Sequence, residues 1–250
     1  PGSPITISAT FKTKQLKGEI IAADGTKYTN DNAGSLANLF YDTDDRPFEK
    51  LRDEAGKLDL LKVAKIRITG GYFAKSDWNW LKVNNANFAK LNTFTIDATT
   101  DQVDDIADDN DYDGYFFKGD HGALEELELH KLKNIGKAAF TNCTKLRKVS
   151  APDAESVGES AFDTNNTLVE VNLPKVKYLG KASFNNCRML KALEFPQLES
   201  LTGGQAYDPA NPVTNSTFLD CRSLRSVDLG NVKYIPTETF GKCISLQEVK

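Results

Sequence analysis

Apolar positions in the second half of the chain recur at constant offsets. Aligned on phenylalanine, Phe140, Phe162, Phe184, Phe218 and Phe240 stand 22, 22, 34 and 22 residues apart. Six residues after each comes a leucine (Leu146, Leu168, Leu190, Leu224, Leu246), and three further on Val149, Val171, Leu193, Val227 or Val249. Two residues later, where the chain continues, stand Ala151, Leu173, Phe195 and Leu229. The V-x-L alternation predicts a short strand with one face turned inward, and one such strand cannot bury that face alone. A fixed period in the twenties predicts a solenoid whose coils complete one another's core.

The same spacing assigns the punctuating residues. Pro152, Pro174 and Pro196 follow the strands and cannot donate to a ladder, so they end them. Gly136, Gly158 and Gly180 are expected in the tight bend before each phenylalanine. Weaker copies lie upstream: Leu124, Leu127 and Leu129, then Leu91, Phe94 and Ile96, then Val63, Ile66 and Ile68. Together they predict about eight strands in one parallel sheet.

Phe48, Leu51, Leu58 and Leu61 suggest short helical turns, and Ser76 or Asp77 could N-cap a helix carrying Trp78 and Leu81. Such a segment would cover the open apolar end of the first coil. The stretch "EIIAADGTKYT" reads as a hairpin with its turn at Asp24-Gly25.

The units "IGKAAFTNCTKLRKVSAP" and "LGKASFNNCRMLKALEFP" resemble the BspA-like leucine-rich repeats of bacterial surface proteins. "AGSLANLF" with "KIRITGGYFAKSDWNWL" is similar to the capping segment of that family, so the resemblance runs over roughly residues 27 to 250. The expected fold is mainly β with short helices: a leucine-rich repeat solenoid with a parallel sheet and an N-terminal cap. Its expected division is a hairpin-like extension over residues 1–26, a cap over 27–62 and the repeats over 63–250. The resemblance implies a secreted or cell-surface setting and a protein ligand on a host or neighbouring cell. The opening "PGSP" reads as the cut end of a longer product, and the chain stops in mid unit at Val249-Lys250.

Composition narrows the partners. The net charge is −4, no apolar run approaches the ~18 residues of a membrane span, and no Lys/Arg cluster is interleaved with aromatics. Neither membrane insertion nor a nucleic-acid partner is expected. Catalytic patterns are missing as well. The two histidines, His121 and His130, sit in no Ser/His/Asp or H-E-x-x-H arrangement, and no phosphate-cradling glycine loop is present.

Two groups of residues could still carry chemistry. Cys143, Cys187, Cys221 and Cys243 each stand three after a phenylalanine, and Asn165 fills that place in the second unit. Coils about 4.8 Å apart put Cys143 and Cys187 about 10 Å from each other, beyond disulfide reach. Reduced, buried thiols are the expectation for the column.

The other group is "DNDYDGYFFKGD". Here Asp109, Asp111, Asp113, Tyr115 and Asp120 fall at ligand positions of an EF-hand-type calcium loop, with Gly114 at its turn. Asp at the twelfth position and the lack of a preceding helix argue for a solvated acidic loop instead. From Asp97 to Asp113 there are eight aspartates and no Lys or Arg, so of the net −4 the remainder of the chain carries +4. No cofactor is otherwise expected, and calcium stays one of two readings.

The candidate binding surface is the outward face of the sheet. One row runs Lys65, Thr93, Glu126, Lys148, Glu170, Ala192, Ser226, Glu248; the next runs Arg67, Thr95, Glu128, Ser150, Asn172, Glu194, Asp228. Mixed charge without an aromatic row argues against a carbohydrate platform on this face and fits a protein ligand better. The second candidate is the break in the period, where 12 residues, "GGQAYDPANPVT" (203–214), enter a coil and present Tyr207 and Asp208. The reading is a non-catalytic protein-binding or adhesion module, with a glycan-binding or calcium-stabilised accessory module as the alternative.

Overall fold

A computed structural model describes residues 15–106, 123–205 and 214–250. The calcium-loop candidates Asp109, Asp111, Asp113, Tyr115 and Asp120, and the loop residues Tyr207 and Asp208, lie outside the described residues. The chain opens with a hairpin, β1 (Lys17–Ala22) and β2 (Lys27–Asn30), whose turn is closed by Thr26 N donating to Asp24 Oδ1. Three 3₁₀ turns follow at Ala37–Phe40, Glu49–Leu51 and Leu60–Lys62. Then come β3 (Val63–Gly70), β4 (Tyr72–Phe73), the single described α-helix α1 (Lys75–Asn84), β5 (Thr93–Ile96) and β6 (Gln102–Val103).

Each later coil contributes a strand to the main face, and three of them a second short strand at the bend. On the main face lie β7 (Glu126–Leu129), β9 (Lys148–Ser150), β11 (Glu170–Asn172), β13 (Ala192–Glu194), β14 (Ser226–Asp228) and β15 (Glu248–Val249). At the bend, β8 (Asn134–Ile135), β10 (Ser156–Val157) and β12 (Tyr178–Leu179) form a parallel ladder of their own. The predicted columns hold as registers: Lys65 faces Thr93, Thr93 faces Glu126, and Lys148 lies between Glu126 and Glu170.

Eight parallel strands are present, but not in one sheet. β3, β5, β7, β9 and β11 join the antiparallel hairpin β1–β2 in a seven-stranded sheet, while β13, β14 and β15 form a separate one. The discontinuity falls where Phe195 enters the column otherwise filled by Ala151, Leu173 and Leu229. Its ring packs against Phe184 and Phe218, at centroid distances of 6.0 and 6.2 Å.

On the opposite side the stack is unbroken. Phe140, Phe162, Phe184, Phe218 and Phe240 lie ring over ring at 5.4 to 6.1 Å, with interplanar angles of 11° to 16°. Their backbones continue the ladder, since Phe140 N donates to Ala161 O, Phe162 N to Ser183 O, Phe184 N to Thr217 O and Phe218 N to Thr239 O. The inserted residues leave this register intact. Asn215, buried at the base of the insertion, donates from Nδ2 to Leu201 O and closes the coil across the gap.

The bend itself differs from expectation. Gly158 and Gly180 do not have positive φ; they are small because the previous coil lies against them. A Cβ on Gly158 would meet Lys137 N at 2.6 Å, and one on Gly180 would meet Glu159 N at 2.5 Å. The left-handed positions flank the phenylalanine instead. Ala138, Ser160, Ala182 and Glu238 stand two before it, and Asn142, Thr164, Asn186, Asp220 and Lys242 two after, all with φ between 55° and 63°.

The helix start is also displaced from expectation. Its N-cap is Ala74, and Asp77 lies inside the first turn. Asp77 is buried, its Oδ2 accepting from Ala74 N at 2.8 Å and its Oδ1 from Leu36 N at 2.7 Å. One carboxylate thus supplies the cap that alanine lacks and ties the helix to the preceding segment.

Candidate functional site

The outward sheet face is built by alternation: Phe94, Ile96, Leu127, Leu129 and Val149 turn inward and are buried, which forces their neighbours outward. Of the first row, Lys65, Glu126, Lys148 and Glu170 are exposed; of the second, Arg67, Glu128, Asn172 and Glu194. Thr93 and Thr95 are short side chains between long ones. They floor a shallow depression of about 390 Å³ walled by Glu126, Glu128, Lys148 and Glu170.

The charges on this face are not equally available. Arg67 grips Asp97 with two bonds, Nη2 to Oδ2 at 2.8 Å and Nε to Oδ1 at 3.0 Å, and also lies 3.7 Å from Glu19. The bonded Asp97 carboxylate raises the Arg67 pKa further, and the fork is held in place. Lys148 lies 3.7 Å from Glu170, and Glu128 is 3.0 Å from His130 Nε2.

Asn172 Nδ2 donates to Ser150 Oγ at 3.1 Å, while Asp228 Oδ1 accepts Gly230 N at 2.9 Å and holds a turn. Lys65, Glu126 and Glu194 make no ion pair among the described residues. The structure brings Glu126, Glu128, Lys148, Glu170 and Asn172 together around the depression. Glu194 and Asp228 sit on the separate three-stranded sheet.

The stem of the insertion borders a second concavity, of about 740 Å³, which runs along the bend ladder past Asn134, Ser156, Tyr178, Thr202, Gln205 and Asn215. Its walls are tied by Ser156 Oγ to Asn134 Oδ1 at 2.6 Å and Asn134 N to Asp105 Oδ1 at 2.8 Å.

The cysteine column is a hydrogen-bond ladder. Cys187 Sγ donates to Phe162 O at 3.2 Å, Cys221 Sγ to Phe184 O at 3.1 Å and Cys243 Sγ to Phe218 O at 3.0 Å. None of the four cysteines is in a disulfide. Burial pushes Cys143 up to about 12 and raises Cys187, Cys221 and Cys243 as well, so none is poised as a thiolate nucleophile. Among the described residues no group of His, Cys, Asp and Glu is placed to hold a metal, and no helix is long and apolar enough to cross a membrane.

One charged surface falls outside both rows. At the edge where the strands begin, the twice-used pattern C-R-x-L-[KR], at 187–191 and 221–225, sets Arg188, Lys191, Arg222 and Arg225 side by side. That spacing is the signal by which sequence reasoning could have found it.

The comparisons agree with this architecture. The model of the BspA type leucine rich repeat region matches residues 113–246 in six copies, more than half of the chain. A solved leucine-rich repeat protein of T. pallidum superposes with a TM-score of 0.52 at 19% identity, over 81% of this chain and 80% of that one. A leucine-rich cell surface protein of Faecalibacterium prausnitzii gives 0.41 at 15% identity, over 66% of this chain and 55% of its own. A leucine-rich repeat protein of Bacteroides ovatus gives 0.30 at 17%, over 75% and 72%. No curated protein sequence matches the chain. The chain belongs to the BspA-type leucine-rich repeat family.

Proposed function

We propose that the chain is a non-catalytic binding module of a bacterial cell-surface or secreted protein, and that it takes a protein partner on the outward face of its sheet. The observation that carries this reading is the depression over Thr93 and Thr95, where Glu126 faces Lys148 and Glu128 faces Ser150 across adjacent strands, with Glu170 beyond. Charges of both signs on a backbone fixed by the ladder suit a partner of complementary pattern, because rigid placement lowers the ordering cost of binding. The loop at 203–214 is proposed as a second contact with the partner.

The buried, protonated cysteine column supports a structural role for the strongest nucleophiles present. A binding array of extracellular-matrix proteins and neutral polysaccharides tests the reading. Saturable binding to one or more protein spots is the expected result; binding confined to neutral polysaccharide would overturn it.

A further inference from the structure

Arg188, Lys191, Arg222 and Arg225 form an exposed basic block on two adjacent coils, away from the sheet-face rows. Arg188 and Arg222 are splinted by one buried carboxylate: Arg188 Nε donates to Asp220 Oδ2 at 2.8 Å, and Arg222 Nε to Asp220 Oδ1 at 2.7 Å. Asp220 stands in left-handed backbone, with φ 60°, and its side chain is only 6% exposed, whereas the arginine side chains are 48% and 54% exposed. Both guanidiniums are thereby fixed with their outer N–H groups toward solvent.

Lys191 and Arg225, and Arg147 further along the same column, make no ion pair among the described residues. The opposite edge of the coils is different. There Lys133 and Lys177 flank Glu155 at 3.0 and 3.6 Å, and Lys175 pairs with Asp153 at 2.7 Å. On the strand-entry edge four cations share one carboxylate: Asp220 pairs with Arg188 and Arg222, while Lys191 and Arg225 have no acidic partner among the described residues.

We infer that this edge is a binding strip for a linear acidic polysaccharide bearing sulfate or carboxylate groups. Lys191 and Arg225 immediately precede paired strands about 4.8 Å apart, and Arg147 continues their column beyond the break between β11 and β13, an arrangement that suits an extended polyanion. Guanidinium forks can pair with two oxygens at once of a planar carboxylate or a tetrahedral sulfate. The block contains no aromatic side chain on which nucleobases would stack, which disfavours single-stranded nucleic acid. This inference is independent of the sheet-face reading, because none of its residues lies in the two rows.

The test is binding of the purified chain to immobilised heparin and polygalacturonate, with a single-stranded DNA oligonucleotide and polyglutamate as other polyanions, from about 50 to about 500 mM NaCl. The expected result is saturable, salt-sensitive binding to heparin or polygalacturonate that exceeds binding to DNA and polyglutamate. The double variant Lys191→Ser/Arg225→Ser should lose about tenfold in affinity with its melting temperature unchanged, and the folded Lys133→Ser/Lys175→Ser variant should lose less than about twofold.

Asp220→Asn keeps a residue suited to left-handed backbone and removes a negative charge. A splinted site is weakened by it about threefold, whereas an effect of net charge alone would be strengthened. No saturable binding at low salt, equal binding of DNA or polyglutamate, an undiminished Lys191→Ser/Arg225→Ser variant, or tighter binding by Asp220→Asn would each overturn the proposal.

Discussion

Asn165 holds Cys143 across one coil: its Oδ1 accepts the Cys143 backbone N–H at 2.7 Å, while its Nδ2 donates to Phe140 O at 3.0 Å. Asn165 therefore makes the cross-coil bond that cysteine makes elsewhere in the column, and adds a second in return. Replacing it by alanine removes both bonds from a fully buried site and should cost about 1–3 kcal/mol. Asn165→Cys should recover part of that loss, through the thiol bond to Phe140 O alone. Urea unfolding of the two variants checks the order; equal stability would sink the ladder interpretation.

The thiols give a second check. Cys143, Cys187 and Cys221 are buried, whereas Cys243 is only half-buried in the last coil. Alkylation of the native protein near pH 8 should mark Cys243 first and leave the other three until unfolding, since deprotonation of a buried thiol is disfavoured. Mass spectrometry of the labelled peptides reads this directly. Early labelling of Cys143 would contradict the packing.

The phenylalanine column predicts a gradient. Phe162 lies between Phe140 and Phe184 at 5.7 and 5.4 Å and is fully buried, so Phe162→Ala should cost about 3–5 kcal/mol. Phe240 is only partly buried and stacks on one side, against Phe218. Its alanine variant should cost roughly half as much or less. Comparable losses at both sites would mean that the coils do not stack as described.

Around each bend, backbone conformation predicts opposite signs two residues apart. Ser160 has φ 55°, where glycine carries no Cβ penalty, so Ser160→Gly should stabilise by up to about 1 kcal/mol. At Gly158 a Cβ would lie 2.6 Å from Lys137 N, and Gly158→Ala should destabilise. Thermal unfolding of the pair decides. A stable Gly158→Ala variant would show that the coils are not in contact there.

The repeat columns were legible because burial enforces them: Phe162, Leu168 and Val149 each fill a place that no polar residue could take. The split between β11 and β13 was not, since Val171 and Leu193 keep the apolar pattern unbroken across it. Nor did composition mark the left-handed positions, where Ala138 and Lys242 carry no glycine-like signature; Ala138 is held by the cross-coil ladder, its N–H donating to Glu159 O.

Asp77 was placed in the helix start, but as the cap itself. Residues 34–56 carry an 11-residue spacing that the apolar pattern does not reveal: Gly34, Asp45 and Gly56 are all left-handed, and Asp42 and Asp53 accept the same turn bonds from residues two and four ahead. In the candidate site the rows were legible as positions, but not the commitment of Arg67 to Asp97, which joins two strands 30 residues apart.

Acid should loosen the coil edges. Asp153 is bonded by Lys175 Nζ and by Lys131 N, and these partners hold its pKa below 3.8. A depressed folded value contributes stability above the unfolded pKa and loses it as pH falls through the folded one. Asp77 acts in the other direction: burial raises its pKa, so its protonation favours the folded state as pH falls. Asp153→Asn should flatten the loss of melting temperature between about pH 5 and pH 2, and Asp77→Asn should steepen it. Unchanged profiles in both variants would contradict these contacts.

The central claim is that the outward sheet face carries partner recognition, and charge reversal at its depression tests this most directly. Glu126→Lys/Glu128→Lys alters two exposed side chains on one strand and leaves Leu127 and Leu129 in the core. Binding of this variant to any matrix protein captured by the wild-type chain, measured by biolayer interferometry, should weaken at least about tenfold, with the melting temperature unchanged. Binding of equal strength by the folded variant would place recognition elsewhere on the molecule and contradict the account.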